Sequence, residues 1–451
     1  MLLVRHWPGP VKTFSRKTLL VFFLPFLFFL SGCASSPMIA PQINSLVVAQ
    51  QYDYALHQMR HNKENYGPQN ELLYQLDYGM VLHLAGEYQN SVVELEKAKK
   101  IYDQLYTVSV TNQASTWLIN DNKAPYRGED FERVTINIIQ ALNFAVLGDF
   151  EKALVEARDV DWRLKLINQQ YKEDQQNVYR QDAFARLLMG IMYEAEGSLS
   201  DLNDAYISYA KAVEAYSDGY YDVPIPLVLK ENILAAAEVM GREEFDLYHE
   251  EFGDVPFISL KERAKKAEVY VIHHQGLSPV KHPVKIPIPL PNGFITQLAF
   301  PAYHQRTYEP KAGKFEATAV DSGINRFVKT EQATAIDRIA IQSLNSRKLR
   351  VIAKAALRSG AKHMAARALE AQIEEGVGET TGNAFRYVSN LYNIVSEQPD
   401  LRSWQTLPAE IRIARLILEP GEYRISFNGA FLGNLRLAAG EKRFVVVRTN
   451  L

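Results

Sequence analysis

The chain has one cysteine, Cys33, in 451 residues. A lone thiol cannot staple its own chain, so a disulfide framework is excluded. Net charge is also nearly absent. Fifty basic residues face 52 acidic ones, so the overall balance gives no pull toward nucleic acid. No apolar run is long enough to cross a bilayer. The greasiest stretch, Leu19 to Leu30, is interrupted by Pro25, and at about 1.5 Å per residue it falls short of a hydrocarbon core roughly 30 Å thick. The common catalytic signatures are missing too. His249-Glu250-Glu251 has no second histidine to make a zinc-binding HExxH, and no glycine-rich loop ends in a lysine-serine pair. His273 and His274 are neighbours on an expected strand and would point to opposite faces, so they and the nearby His282 and His304 do not read as a metal site. Gly276-Leu277-Ser278-Pro279-Val280 lacks the second glycine of a nucleophile elbow, and its proline removes an amide that an oxyanion hole needs. Gly376-Val377-Gly378-Glu379-Thr380-Thr381-Gly382 has one residue too many for a dinucleotide fingerprint. These observations point to no cofactor and no enzyme. Paired carboxylates acting on a sugar are recognised by their separation in space, so that chemistry stays open.

What is present begins at the N-terminus. Arg5, Lys12, Arg16 and Lys17 form a positive segment without an acidic residue, followed by the short apolar run and then by small residues. That order is a secretory signal rather than a transmembrane helix. Leu30-Ser31-Gly32-Cys33 resembles the bacterial lipobox. The resemblance implies acylation of the Cys33 thiol and cleavage that makes Cys33 the new N-terminus, leaving residues 1–32 as signal peptide. Two or three acyl chains suffice for stable anchoring. Ala34 follows Cys33 where sorted lipoproteins retained at the inner membrane carry aspartate. In an organism with two membranes the analogy implies a lipid-anchored outer-membrane protein facing the periplasm. Residues 33–44, small, polar and proline-containing, suit a flexible tether.

Residues 45–255 are helical in pattern. Leu82-His83-Leu84-Ala85-Gly86-Glu87-Tyr88 recurs as Val146-Leu147-Gly148-Asp149-Phe150, and more loosely at Glu196-Gly197 with Tyr209-Ala210-Lys211-Ala212. In the first copy Val92, Leu95, Ala98 and Ile101 recur at helical spacing between charged residues. These segments resemble the tetratricopeptide repeat, in which a glycine ends one helix and small residues let the next pack close. The copies are spaced more widely than the usual period of about 34 residues, so the gaps must hold inserted loops or extra helices. One insert runs from Thr107 through Tyr126-Arg127-Gly128-Glu129-Asp130-Phe131-Glu132 and carries Trp117. Its carboxylates suit a helix N-terminus. A sharper reading makes it a loop that closes a groove, with Trp117, Tyr126 and Arg127 as partner contacts.

After residue 265 the period changes to that of strands, giving an α+β class overall: a tetratricopeptide-like helical domain, then a β-sandwich-like domain over 265–451. Glu268 to Ile272, Lys285 to Pro289, Phe294 to Tyr308, Phe315 to Val320, Ile411 to Leu418, Tyr423 to Phe427 and Arg443 to Arg448 are expected strands, and Asn428-Gly429 is a hairpin signal. The simplest arrangement is one antiparallel sandwich interrupted by a helical insertion at about 330–398. The insertion has no acidic residue between Asp337 and Glu370. Such a basic helix either shows a solvated face or lies on an anionic membrane surface, with Arg347, Lys354 and Arg358 as the candidate contacts. Trp404 and Leu407 would anchor the turn into the next strand, and Trp404 is a fourth candidate for partner binding. The segment Asp400 to Ile411, the Tyr126–Glu132 insert and the strand Val271-Ile272-His273-His274-Gln275-Gly276 together resemble a family of bacterial lipoproteins with helical repeats and this C-terminal domain, a family with no settled activity. The expected function is therefore that of a lipid-anchored, non-catalytic scaffold or accessory subunit binding an unknown envelope protein. A peptidoglycan- or polysaccharide-acting enzyme, a ligand-binding lipoprotein and a subunit of an export or surface-assembly complex are the alternatives.

Overall fold

The protein is described from a computed structural model, which describes residues 39–111, 124–169, 178–253, 255–289, 295–377, 385–387, 389 and 398–449. Helices occupy its N-terminal half and sheets its C-terminal part. The helices are α1 Ala40–Val48, α2 Tyr52–His61, α3 Glu71–Leu84, α4 Tyr88–Thr111, α5 Asp130–Val146, α6 Phe150–Gln169, α7 Ala183–Glu196, α8 Leu199–Ser217, α9 Leu227–Met240, α10 Arg242–Phe252 and the short α11 Leu260–Arg263. α1 starts inside the stretch expected to be tether, because Ile39, Ile43 and Val47 reach a buried seat there.

The glycine turns set the helix pairs. After α3, Gly86 takes φ 80°, its N–H bonds to His83 O, and Glu87 N–H reaches back to Leu82 O at 2.9 Å. After α5 the same bonds recur around Gly148 (φ 77°), with Asp149 N–H on Phe144 O at 2.9 Å. Only glycine enters this left-handed region without a Cβ penalty, which is why the helix stops there and the chain reverses. Ser198 restarts the chain after Gly197 with a capping box onto Asp201.

The strands are β1 Ala267–Gln275, β2 Val280–Pro289, β3 Ile295–His304, β4 Lys314–Ala319, β5 Asn325–Lys329, β6 Glu331–Thr334, β7 Glu410–Leu418, β8 Gly421–Phe427, β9 Ala430–Leu437 and β10 Lys442–Thr449. Between β6 and β7 the described residues include α12 Ile336–Ser346 and α13 Lys348–Val377. The helical insertion therefore begins after β6. Among the described residues three sheets form: β10-β1-β7-β6, the β2-β3 hairpin, and β5-β4-β8-β9. The expected all-antiparallel arrangement fails at one pairing, since β10 runs parallel to β1 from Glu268↔Lys442 to Gln275↔Thr449. Parallel neighbours need a long crossover, and here all of β2 to β9 intervenes.

All nine residues of β1 are buried, and alternation explains why. Tyr270 and Ile272 join the helices in one core with Phe444, Ile411 and Ile413. Val269 and Val271, on the other face, pack with Phe315, Ala317, Tyr423, Ile425 and Phe427 of the second four-stranded sheet. The β1 sheet is thus a middle layer between helices and the second sheet.

That middle layer also carries charge toward the helices. Glu268, Arg415 and Lys442 meet Glu194, Glu231, Asn232 and Arg263. Lys442 Nζ lies 2.7 Å from Glu194, Arg415 bridges Glu231 at 2.6 Å and Glu268 at 3.1 Å, and Arg263 donates to Asn232 Oδ1 at 2.9 Å. Three carboxylates balance three cations, which a buried cluster needs to offset desolvation.

Candidate functional site

The stretches singled out in the sequence meet at one junction. α5 begins with a capping box in which the Glu129 and Glu132 side chains exchange bonds with backbone amides. The loop before it is fixed by Tyr126 N–H on Gln69 O at 2.7 Å. Gly128 then turns left-handed (φ 71°) so closely against Tyr102 that an added Cβ would meet the ring. Glu132 is fully buried. Its Oε2 accepts from the Tyr126 hydroxyl (2.6 Å) and Glu129 N–H (3.0 Å), and its Oε1 accepts from Trp404 N–H (2.6 Å). The chain of donors continues through Trp404 Nε1 to Thr406 Oγ1 (3.0 Å), and from that hydroxyl to Asp77 (2.9 Å). Arg402 donates to Asn70 Oδ1 and Ala124 O, each at 3.0 Å, and its guanidinium stands 5.2 Å from the Tyr126 ring centroid.

Charge separates along this junction. Burial opposes ionisation of Glu129, but Lys281 and Arg347 outweigh it and hold the carboxyl down to about 2. Arg347 bonds Glu129 at 2.6 Å, and Lys281 bonds it while also donating to Arg402 O at 2.9 Å. Burial, then the Glu129 charge, pushes Glu132 up to about 7. Burial does the same to Asp77, also up to about 7.

Outside Glu129 lies a cavity of about 590 Å³. One wall is the 124–129 loop, another is β3 with Phe300, and a third is Leu344 of α12 with Val351 and Leu357 of α13. Arg127, Lys281, Arg347, Arg350, Lys354, Arg358 and Arg402 reach it, against the carboxylates of Glu129 and Asp400. Both carboxylates are held by cations, Glu129 as above and Asp400 by Arg402 at 2.7 Å. The Glu129 carboxyl, held low by its cations, is not disposed to take a proton, and no Ser, Thr, Cys or His is among the described residues that line the space.

The structure redistributes the candidate residues. Tyr126 and Trp404 are 3% and 1% exposed, so two of the four partner candidates weld the fold from inside instead of meeting a partner. Trp404 keeps its other expected part, anchoring the turn beside buried Leu407. Arg127 is exposed at the cavity rim. Trp117 and Cys33 lie outside the described residues. Of the membrane-surface candidates, Arg347 faces Glu129 and Arg358 is buried with Nη2 3.4 Å from Ala299 O, while Lys354 is exposed. No family model, curated protein or solved structure matches the chain. Sequence reasoning missed Asp77, Lys281 and Arg402 because nothing local marks them. Glu129 and Glu132 were visible only as helix-capping carboxylates.

A second buried contact joins the halves. His274 Nε2 lies 2.9 Å from His83 Nε2, and His83 Nδ1 is 2.6 Å from Asn143 Oδ1. Burial holds both imidazoles below their ordinary value, His83 to about 4. His273 turns the other way, to Thr330 and Thr449 at 3.0 and 2.7 Å, as strand alternation requires.

Proposed function

We propose that this chain is a lipid-anchored protein of the bacterial cell envelope that works without catalysis, as a scaffold or accessory subunit. Cys33 carries the anchor, and the molecule faces the periplasm from the outer membrane where there are two membranes. The helix pairs are tetratricopeptide-like units, and the two four-stranded sheets are a sandwich-like body behind them. The single observation that carries the reading is the repeated glycine turn. Gly86 and Gly148 share φ values of 80° and 77° and the same backbone bonds, as expected of repeated hairpins that offer a recognition surface. The clamped carboxylates beside the cavity favour binding over reaction. A lipid tether confines such a binder to a thin layer, raising its effective concentration for membrane partners.

The test is in-cell crosslinking and affinity purification from membranes, beside a Cys33→Ala control. Envelope proteins recovered only with the tethered form support the scaffold. Failure to recover any, with a glycan or small molecule bound instead, sinks it.

The cavity favours one second reading. Its volume of about 590 Å³ falls in the range of small-molecule sites, which suits a ligand-binding lipoprotein. Native mass spectrometry of protein from membranes tests this reading, which fails if no co-purifying small molecule is present.

A further inference from the structure

Helix α13 is apolar on two faces. One face is used: Ala355, Val351 and Ile352 pack on Leu298 and Phe300 of β3, and Ser359 Oγ sits 3.0 Å from Thr296 Oγ1. On the side away from β3 Leu349, Ala353, Leu357, Gly360 and Met364 follow one another at helical spacing, and all are exposed, with Ala353 and Leu357 also bordering the cavity. Leu349 is 84% exposed, Leu357 64% and Met364 73%. Aliphatic side chains aligned over about 22 Å of helix are not the scattered exposures of an ordinary surface.

Charge and position suggest what covers them. No acidic residue occurs between Asp337 and Glu370. Lys348 and Arg367 are exposed along this helix, Arg367 also reaching Glu370 at 3.6 Å. An apolar stripe with basic neighbours is complementary to an anionic bilayer surface. The N-terminal helix connects to the cavity that α13 borders. Asn44 of α1 donates to Gln405 Oε1 at 2.8 Å, and Arg402, just before it in sequence, lines the same cavity as α13. Cys33 precedes the first described residue, Ile39, by a stretch that spans at most about 20 Å when fully extended. A lipid on Cys33 would hold this side of the molecule close to the membrane.

We propose that the outward face of α13 lies on an anionic phospholipid surface. Leu349, Leu357 and Met364 enter the headgroup–acyl boundary, and Lys348 and Arg367 meet the headgroups. This orientation rests on the anchoring reading above for its geometry, although the stripe's own affinity does not need the anchor. Of the membrane candidates expected from the sequence, Arg347 and Arg358 drop out because they face the protein.

The experiment places a single environment-sensitive label at Leu357→Cys or Met364→Cys in full chain purified from membranes. Val320→Cys, 61% exposed beyond β4, is the control. Samples are mixed with phosphatidylcholine vesicles, with or without phosphatidylglycerol, that carry acyl-chain quenchers. The expected result is a blue shift and quenching at 357 and 364 that depend on phosphatidylglycerol, are absent at 320, and are lost when Lys348→Glu and Arg367→Glu are combined. Mass spectrometry of Cys33 reads acylation separately. Labels at 357 and 364 that stay as wet as the control overturn the inference, and if Cys33 is acylated the anchoring reading stands without it. Quenching at 357 in a chain whose Cys33 carries no lipid, and not in the parent labelled at Cys33 alone, supports the inference and removes the anchor.

Discussion

Glu132 accepts three hydrogen bonds where water does not reach, from Tyr126, Glu129 and Trp404. Replacing it with alanine leaves three buried donors without their acceptor, and orphaned groups cost about 1–3 kcal/mol each. Glu132→Ala is expected to lose at least about 3 kcal/mol in urea unfolding. The protonation equilibria of two glutamates pull stability in opposite directions. Glu132 in the fold is raised to about 7 from an ordinary 4.5, chiefly by burial. A raised carboxyl favours the fold fully below 4.5, and that contribution is lost as pH climbs through 7. Glu268 is the reverse case. Burial works against its charge, yet Lys442, Arg415 and Arg263 hold it well below the ordinary range. Its contribution is present above the ordinary value of 4.5 and fades as pH falls toward its lower folded value. Glu268→Gln leaves one cation of the cluster unbalanced, so it should cost about 3–5 kcal/mol near neutrality. The gap from the parent protein, followed by urea midpoints, should narrow as pH drops below the ordinary glutamate value. A gap that stays constant with pH would remove Glu268 as a titrating partner.

Two helix glycines have opposite duties. In α7, a Cβ on Gly190 would strike the Tyr209 ring of α8, and that ring is held by its hydroxyl to Glu194 at 2.9 Å. In α13, nothing stands near Gly360. Gly190→Ala should therefore destabilise by about 1–3 kcal/mol through overpacking. Gly360→Ala should stabilise by up to about 1 kcal/mol, because only the backbone entropy of glycine is removed. Thermal melts of both variants check the two signs. The Gly86 and Gly148 turns were legible because their cause is local: a left-handed residue and the helix it ends sit side by side. Asn428-Gly429 was legible for the same reason, both residues taking positive φ (49° and 83°) between β8 and β9. The parallel β1–β10 pairing was not, since its partners are far apart in sequence and their register is decided only in the assembled sheet. The junction was half legible. Glu129 and Glu132 announce a helix start wherever they stand, but Lys281, which neutralises Glu129, lies 152 residues away and carries no local mark. Tyr126 and Trp404 invited a surface reading because aromatics suit interfaces and interiors alike.

At the scale of the molecule, one continuous core runs from Ile39 and Ile43 through the helices to Tyr270, Ile272 and Phe444 of the middle sheet. The buried ion cluster, the His83–His274 contact and the Glu132–Trp404 bond cross the same boundary. A helical half with such a floor cannot open to water alone without exposing the apolar and charged face that the sheet covers. The two halves should therefore unfold together. Trp404 is buried at the junction and reports that boundary by fluorescence, while far-UV circular dichroism follows the helices. Trp404→Phe identifies its share among the four tryptophans of the full sequence, of which Trp7 lies in the expected signal peptide. The expected outcome is a single urea transition with coincident midpoints for both probes, the mark of two-state behaviour. Separated midpoints, with Trp404 exposed before helix is lost, would mean that the junction is a hinge and that the protein presents two surfaces able to move apart. Coincidence would mean that the molecule is one rigid frame, so that under the anchoring proposal the geometry at the membrane would be set by how the whole body is held.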